Sequence, residues 1–203
     1  MHELVLFPKK EKIQLPLKDA DIIYYPNFLQ SQEASDLFQK LLEKTKWRED
    51  EIKVFGKTYK QPRLTALYGN NGNPYSYSGI TMTPLPFPSE IEKLKHQIEK
   101  KTNESFTTVL LNLYRDGNDS NGWHSDDEQE LGENPVIASV SLGAKRYFHL
   151  KYKRDKKLTY KILLDHGSLL LMKGTTQENW LHQIPKSKKI KQSRINLTFR
   201  SIV

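Results

Sequence analysis

The sequence predicts a mostly β protein with flanking helices, an α+β chain whose core is a sandwich or jelly roll. Six short segments of strand character follow one another after Thr107, with no helical pattern between them. Turn dipeptides such as Asp116-Gly117 and His166-Gly167 separate them. The amphipathic helical patterns are confined to the first half of the chain. Many short strands without intervening helices favour an antiparallel sandwich or jelly roll over a parallel α/β sheet.

The N-terminal half opens with a short strand and an amphipathic helix. Residues 22–25 are apolar or aromatic, and Pro26 closes them. The following helix is expected to take Ser31 as its N-cap, because a serine hydroxyl accepts hydrogen bonds from the first free amides of a helix. Spacings of three and four residues give this helix one apolar stripe. The stripe comprises Ala34, Leu37, Phe38, Leu41 and Leu42.

A hairpin, a long loop and a second helix complete this half. Residues 52–61 are expected to form a hairpin that turns at Gly56-Lys57. Residues 69–88 are rich in Gly, Asn, Pro and Tyr and are expected to form an irregular loop. A loop of that length inside a domain is usually functional or disordered. The second helix begins at Ser89, whose spacing to Glu92 is that of a capping box.

Strands dominate from Thr107 onward. We therefore divide the chain into an N-terminal extension, residues 1–104, and a β core, residues 105–203, within one structural domain. The extension holds the helices, the hairpin and the long loop. The strands expected in the core are 107–114, 136–142, 145–152, 158–164, 168–172 and 194–200.

The composition restricts the partners and the metal chemistry. A net charge of +8 and a pI near 9.4 favour an anionic partner, with nucleic acid first. The chain contains no cysteine, which excludes disulfides, iron–sulfur clusters and thiolate zinc sites, so a metal needs nitrogen and oxygen ligands. No signal peptide and no apolar stretch of membrane-spanning length is recognisable. We expect a soluble monomer in the cytoplasm, at the nucleoid, or in the nucleus of a eukaryote.

The segment Gly122-Trp-His124-Ser-Asp126, with His182 downstream, offers two imidazoles and one carboxylate. Such a set occupies one face of an octahedral metal and leaves the opposite face open, as in non-haem Fe(II) oxygenases. Alternation along an extended segment places His124 and Asp126 on one side. A surface turn with a capping aspartate is the alternative for the tripeptide alone. The preceding strand and turn, together with His182, favour the metal site.

The terminal run Arg194-Ile-Asn196-Leu-Thr198-Phe-Arg200 alternates polar and apolar residues. On a strand, its four polar side chains share one face. Two arginines on an inward face need acid partners, and a dicarboxylate cosubstrate would neutralise them. A solvated edge strand is the alternative, but Leu197 and Phe199 indicate one buried face. Asn112 and Tyr114, two residues apart on an earlier strand, supply further hydrogen-bond donors.

These motifs together resemble the AlkB family of Fe(II)/2-oxoglutarate-dependent dioxygenases. The likeness covers about residues 50–203 and is nearest to the branch of the duplex-DNA repair homologues, which share a hairpin like Val54-Phe55-Gly56-Lys57. Gln61-Pro-Arg63 and Tyr75-Ser-Tyr77 also resemble the family's lesion-recognition region. The core of the likeness is Asn112-Leu-Tyr114-Arg-Asp-Gly117, Gly122 to Glu128, His182 and Arg194 to Arg200.

The resemblance implies a double-stranded β-helix, of the jelly-roll and cupin-like type, with a metal at its mouth. It implies that Fe(II) is held by His124, Asp126 and His182. Dioxygen and 2-oxoglutarate are the implied cosubstrates, with Arg194 pairing with the distal carboxylate and Arg200 near the metal-side carboxylate. The residues implied to bind 2-oxoglutarate are Asn112, Tyr114, Arg194, Asn196 and Arg200.

The implied reaction is oxidative demethylation of N1-methyladenine and N3-methylcytosine in DNA, which releases formaldehyde, succinate and carbon dioxide. These bases are cationic, so a pocket that favours them should offer carboxylates and aromatic faces. Tyr75, Tyr77, Asp127 and Glu128 are implied to contact the base, which must leave the helix to reach the metal. A solvated acidic turn is the alternative for Asp127 and Glu128.

DNA contacts are expected from one aromatic residue and several cations. Phe55, at the tip of a polar hairpin, is interpreted as a wedge that fills the gap left by the extruded base. The alternative is that Phe55 packs back on the core beside Val54. Each expected phosphate contact also fits a solvated surface charge when taken alone. The expected phosphate contacts are Arg63, Lys153, Arg154, Lys188 and Lys189.

Two rival functions stand beside this interpretation. One is the same chemistry on RNA. The other is a catalytically idle nucleic-acid-binding module on a cupin-like scaffold. The intact set of metal ligands and arginines argues against the idle module, because binding alone does not require it.

Overall fold

Two antiparallel sheets face each other in the computed structural model, which describes residues 11–54, 57–70, 75–77 and 80–202. The strands are short. Most of them either alternate buried and exposed residues or are buried on both faces. The strands are β1 Ile13–Gln14, β2 Asp21–Tyr25, β3 Glu51–Val54, β4 Lys57–Lys60, β5 Leu64–Gly69, β6 Tyr75–Tyr77, β7 Ile80–Met82, β8 Thr108–Tyr114, β9 Asn121–His124, β10 Ile137–Gly143, β11 Arg146–Tyr152, β12 Thr159–Leu164, β13 Ser168–Lys173, β14 Trp180–Ile184 and β15 Arg194–Arg200.

The strand order gives a jelly roll with one larger and one smaller sheet. The larger sheet runs β1-β2-β13-β10-β15-β8-β5, and the smaller runs β12-β11-β14-β9. All of these pairings are antiparallel. Two separate hairpins, β3-β4 and β6-β7, precede the second long helix. The chain thus forms the sandwich architecture that the run of short strands predicts, with a double-stranded β-helix core.

Strand β15 lies inside the larger sheet and is buried on both faces. One face carries Leu197 and Phe199, which join the apolar core beneath the helices. The other face carries Arg194 and Arg200, which point between the two sheets. The alternation predicted for the terminal run is therefore confirmed, and the solvated edge strand is wrong because no residue of β15 is exposed.

The helices cover the outer face of the larger sheet. Helix α1 spans Ser31–Lys44 and α2 spans Ser89–Thr102, with a short α3 at Thr176–Asn179 and a 3-10 turn at Gln129–Leu131. Their apolar stripes pack on the sheet because burial removes that surface from water. In the described chain, none of the helices is both long enough and apolar enough to cross a membrane. The buried helix residues in this core are Ala34, Leu41, Ile91, Leu94 and Ile98.

Helix α2 begins at Ser89 as predicted, but the N-cap of each helix lies one residue before the serine predicted to cap it. Gln30 occupies the N-cap of α1 and Pro88 that of α2, and neither provides a side-chain cap hydrogen bond. Ser89 is already inside the first turn, where its hydroxyl donates to Glu90 Oε2. The capping box between Ser89 and Glu92 is therefore not formed, because Pro88, with its fixed φ, sets the extended entry to the helix.

A second core fills the space between the two sheets. Leu110 and Tyr114 of β8 contribute from the larger sheet, and Phe148 and Leu150 of β11 contribute from the smaller one. Trp180 closes this core at one end, where its indole N–H donates to the carbonyl oxygen of Lys18 at 2.8 Å. A polar pocket adjoins this core, lined in part by Leu110 and Phe148, and holds the candidate site.

Three parts of the N-terminal half differ from the predictions. The region 69–88 contains the hairpin β6-β7 in place of a wholly irregular loop. Lys57 pairs with Val54 and so belongs to β4, not to the turn. Strands β1, β2 and β5 join the larger sheet, so the residues before 105 complete the core sheet as well as extending it.

Two strands of the C-terminal half were not predicted. The sequence patterns missed β9 and β14 because β9 is polar and β14 has only five residues.

Gly117 offers a sharp test of packing around the turn after β8. A Cβ on Gly117 would lie 1.8 Å from the carbonyl oxygen of Ser187, whereas a Cβ on Gly122 would meet nothing within 4 Å. We expect Gly117→Ala to cost about 2 kcal/mol of stability, since overpacking displaces the backbone. That cost corresponds to a melting temperature lowered by roughly 4–8 °C. Gly122→Ala is the matched control and should melt like the parent chain in the same thermal scan. Equal melting temperatures for the two variants would contradict the predicted overpacking at Gly117.

Candidate metal centre and cosubstrate pocket

Three side chains converge where the smaller sheet meets the larger one. The pairing of β9 with β14 sets His124 opposite His182, and both rings face the inside of the sandwich. The ring centroids are 4.2 Å apart. Asp126 follows two residues after His124, and one ligand atom from each of the three residues lies within 4.8 Å of the others. The predicted set is thus assembled in one place.

Neighbouring groups hold the two imidazoles in defined orientations. His124 Nδ1 lies 2.8 Å from the carbonyl oxygen of Gly122, which only accepts hydrogen bonds, so Nδ1 carries the proton. The lone pair of His124 is then on Nε2, where Asn121 Nδ2 approaches to 3.2 Å. The ring of Phe148 stacks on His182 with centroids 5.1 Å apart. These contacts present one ring nitrogen of His124 to the pocket and shield one face of His182.

Asp126 is fixed through its backbone and through one of its oxygens. Its amide N–H donates to Gln177 Oε1 at 3.0 Å. Its Oδ1 accepts from Arg200 Nη2 at 2.7 Å. Its Oδ2 faces His182 Nε2 at 3.9 Å. Arg200 therefore neutralises the carboxylate and leaves the second oxygen directed at the imidazoles.

The electrostatics of the site keep its three groups in the protonation states that bind a metal. Burial, followed by the neighbouring His124, lowers the pKa of His182 to about 3. Burial also lowers the pKa of His124, against the attraction of Asp126. Burial alone would raise the pKa of Asp126, but Arg200 and the two histidines bring that pKa below its usual value. At neutral pH the site therefore offers two neutral imidazoles and one carboxylate, which suit Fe(II) with open positions.

A polar pocket continues from these residues along the inner face of β8 and β15. Arg194 is almost fully buried, and its Nη2 donates to Ser141 Oγ at 2.9 Å. Its Nε and Nη1 are buried without a hydrogen-bond partner among the described residues. Burial lowers the pKa of Arg194 to about 10, although Tyr114 counteracts this. A buried guanidinium with two free donors fits a carboxylate, so the pocket fits the distal end of 2-oxoglutarate.

The other residues predicted to bind the cosubstrate line the same pocket, but they differ in how many of their polar groups already have a hydrogen-bond partner. Asn112 Oδ1 accepts from Arg63 Nε at 2.7 Å, which leaves the amide N–H₂ of Asn112 available to the pocket. Tyr114 packs against the guanidinium of Arg194, with the ring centroid 5.2 Å from Cζ. Asn196 donates to Ser139 and accepts from Thr198, so its amide mainly supports the pocket wall.

The comparisons with known proteins agree with this geometry. The sequence profile of the 2OG-Fe(II) oxygenase superfamily matches residues 21–200. Alpha-ketoglutarate-dependent dioxygenase alkB homolog 3 of Homo sapiens is 43% identical over 190 residues, which are 89% of this chain and 66% of that protein. DNA oxidative demethylase ALKBH2 of Homo sapiens is 39% identical over 181 residues, which are 84% of this chain and 69% of that protein. The chain belongs to the AlkB family.

Two further similarities refine the place of this AlkB family member. Alpha-ketoglutarate-dependent dioxygenase alkB homolog 3 of Bos taurus is 45% identical over 87% of this chain and 64% of that protein. The chain thus spans just under two thirds of the length of these homolog 3 relatives. None of the three names of these relatives mentions duplex DNA, so the expected closeness of this chain to a duplex-repair branch stays a prediction. The structure of OsALKBH1 covers 93% of this chain with a TM-score of 0.68 at 18% identity, which supports the fold.

The residues predicted to recognise the base are only partly visible. Asp127 is exposed, accepts from Ser125 Oγ at 2.8 Å and pairs with Lys153 at 3.1 Å. Glu128 is partly buried at the start of the 3-10 turn. The backbones of Tyr75 and Tyr77 form β6, and their side chains lie outside the described residues. Phe55 lies outside the described residues altogether.

Some of the cations predicted to contact phosphates are exposed, and others are hydrogen-bonded to residues of this chain. Arg63 is 3% exposed and bonds to Asn112, so its place on the DNA-contact surface is wrong; the strand start brings it inward beside the metal site. Lys153 donates to Asp127 and to the carbonyl oxygen of Gln177. Arg154 is exposed near Glu178 at 3.7 Å. Lys188 and Lys189 are exposed on the connection before β15.

Two residues have roles in the site that the sequence did not predict. Gln177 holds the backbone of Asp126 from the short helix α3, and Arg63 fixes the amide of Asn112. Neither residue belongs to a periodic pattern, and each contact joins segments about fifty positions apart. Only the tertiary fold brings these segments together, so a single sequence carries no signal for these roles.

Removing single ligands should separate metal binding from folding. We expect His124→Ala and Asp126→Ala each to weaken Mn(II) or Fe(II) binding by more than the roughly 10–100-fold loss that follows removal of an outer-shell partner. Only Asp126→Ala should also destabilise the metal-free chain, by about 3 kcal/mol, because it leaves Arg200 buried without its carboxylate. Anaerobic titration calorimetry and denaturant unfolding in EDTA measure the two effects. Metal affinity retained in Asp126→Ala would refute the ligand assignment.

Proposed function

We propose that this chain is an Fe(II)- and 2-oxoglutarate-dependent dioxygenase that removes methyl groups from the nitrogens of DNA bases. The observation that carries the proposal is one pocket that holds both the His124–Asp126–His182 set and the buried Arg194 with two free donors. A metal site alone or an arginine alone has simpler explanations. Their presence in one pocket matches an enzyme that binds a metal and a dicarboxylate together.

The residues of the pocket have distinct tasks in this proposal. His124, Asp126 and His182 would hold Fe(II), while Arg194 binds the distal carboxylate of 2-oxoglutarate. When bound, these groups supply the oxidising chemistry that, with dioxygen, converts a methyl group into a hydroxymethyl group that is lost as formaldehyde. Arg200 keeps Asp126 ionised and fixed, so that its second oxygen stays directed at the metal position. Phe148 and the surrounding apolar core keep bulk water away from one side of the site.

The substrate class is supported by charge and by the relatives. The chain carries a net charge of +8, which favours a polyanion. One relative of high similarity is named a DNA oxidative demethylase. Asp127 and Glu128 directly follow the ligand Asp126 in the chain, and we propose that these carboxylates contact a cationic methylated base, for which Asp127 would have to exchange its ion pair with Lys153. We propose N1-methyladenine and N3-methylcytosine as the lesions, with duplex tolerance dependent on Phe55.

The two rival functions make different predictions. The same chemistry on RNA uses the same pocket and differs only in the strand that delivers the base. An idle binding module would not need Arg194 buried with free donors, because burying an unsatisfied guanidinium is costly. This cost favours the enzyme over the module.

Arg194→Lys should raise the KM for 2-oxoglutarate by roughly 10- to 100-fold, because a point charge replaces a planar fork with two donors. Succinate formation at varied 2-oxoglutarate measures this effect.

Arg146→Lys is the matched control. Arg146 is also buried and also packs on Tyr114, but its Nη1 and Nη2 donate to three backbone carbonyl oxygens and it lies outside the pocket. That variant should lose stability and keep the parent KM. Equal KM changes in the two variants would remove Arg194 as the carboxylate anchor.

The substrate assignment calls for mass spectrometry of methylated oligonucleotides. Single-stranded DNA, duplex DNA and RNA, each with one N1-methyladenine or N3-methylcytosine, are incubated with protein, Fe(II), 2-oxoglutarate and oxygen. We expect a loss of 14 Da from the methylated DNA, with one formaldehyde and one succinate per repaired base. His124→Ala is the control that should leave the mass unchanged. Conversion of RNA without conversion of DNA would favour the RNA rival, and DNA binding with no mass change in any substrate would favour the idle module.

A further inference from the structure

The outward face of the smaller sheet is unusual among the surfaces that the structure describes. The inward face carries Phe148, Leu150 and His182, so the alternate residues of the same strands point to solvent. Six large apolar side chains are exposed in the described chain, and three of them, Trp123, Tyr147 and Leu163, lie on this face. A concentration of exposed apolar groups on one flat sheet indicates a binding surface.

Lysines accompany the aromatic rings on this face. Lys151 Nζ lies 4.1 Å from the ring centroid of Trp123, and Lys161 Nζ lies 5.5 Å from that of Tyr147. The register places Lys161 opposite His149, beside Tyr147. No Asp or Glu occurs at any position of β9, β11, β12 or β14. The face therefore combines exposed rings with positive charge and carries no acidic side chain of its own.

We propose that this face, here called the aromatic platform and formed by Trp123, Tyr147, Lys151 and Lys161, binds single-stranded nucleic acid at a place separate from the base pocket. Bases stack on the two rings, and the two lysines contact phosphates. Exposed aromatic rings with interleaved cations on a sheet are the means by which single strands are bound without sequence preference. The charge complementarity favours a polyanion over an apolar protein surface.

The platform and the pocket are joined by one edge of the sheet. Strand β9 is an edge strand, and its residue Trp123 faces outward while the next residue, His124, faces the metal site. Trp123 and Tyr147 lie two strands apart, which corresponds to about 10 Å across the sheet. A single strand on the platform therefore reaches the pocket by crossing one edge. The inference takes its class of ligand from the proposed function, but binding on the platform does not require turnover.

The first test uses the metal-free protein with unmethylated 20-nucleotide oligothymidine, so that no reaction contributes. We expect Tyr147→Ala/Lys161→Ala to raise the Kd in fluorescence anisotropy by about 10-fold, since each stacked base contributes measurably to affinity. The slope of log Kd against log salt should also fall by about 0.7 for the phosphate contact that is lost. Lys93→Ala, an exposed charge on α2, is the control and should leave the Kd within about twofold of the parent. An unchanged Kd in the double variant overturns the platform.

The second test reads one ring directly. Trp123 is 38% exposed, Trp47 is partly buried and Trp180 is 1% exposed, so the part of the tryptophan quenching by oligothymidine that is lost on removing Trp123 reports on this ring. We expect quenching in the parent chain and its loss in Trp123→Phe, which keeps a ring for stacking. Binding without quenching places the strand elsewhere and overturns the proposal.

The two proposals fail in different ways. Platform binding in the absence of demethylation of any methylated oligonucleotide would refute the proposed function and leave the platform standing. Demethylation of long single strands with the same Kd and rate in Tyr147→Ala/Lys161→Ala as in the parent would refute the platform and leave the proposed function standing.

Discussion

Strand β15 buries two guanidinium groups between the sheets, and the arrangement of the site follows from how each charge is balanced. Removing an ion from water costs several kcal/mol unless a partner of opposite charge is at hand. Arg200 has that partner in Asp126, at 2.7 Å. Among the described residues, Arg194 makes no ion pair and is contacted by the hydroxyl of Ser141 and the ring of Tyr114. Arg200 thus fixes the carboxylate of a proposed metal ligand. The buried donors of Arg194 remain available to bind an anion.

The two sheets divide the work of the site between them. The larger sheet supplies the cations and the amide of Asn112 from its long buried strands β8 and β15. The smaller sheet supplies both histidines through the β9–β14 pairing, which sets His124 against His182 next to a register irregularity that precedes Ile184. Asp126 links the halves, because its carboxylate meets Arg200 and its backbone is held by Gln177. A shift of one residue between β9 and β14 would turn one histidine outward and dismantle the site.

The sequence predicted those parts of the structure that show a short periodicity of polar and apolar residues. Six strands of the core, the helix faces and the alternation of β15 follow from periods of two or about 3.6 residues. The His–x–Asp spacing fixes two ligands within three positions, so their meeting needed only an extended segment. The inward position of Arg63, the support from Gln177 and the pairing that forms β14 depend on contacts between distant segments. A single sequence carries no local signal for such contacts, which is why Arg63 was assigned to the surface.

We propose that Arg194 makes this pocket specific for a dicarboxylate. The most direct measurement compares the melting temperature of the Mn(II)-loaded protein, without oxygen, in 2-oxoglutarate and in 2-oxobutyrate. Both acids chelate a metal through the same 2-oxo acid group, and only 2-oxoglutarate has a distal carboxylate. At about 100 times its Kd, 2-oxoglutarate should stabilise the fold by about 2.7 kcal/mol, a shift of roughly 5–10 °C, and 2-oxobutyrate at the same concentration should shift it far less. Equal shifts with the two acids would contradict the claim.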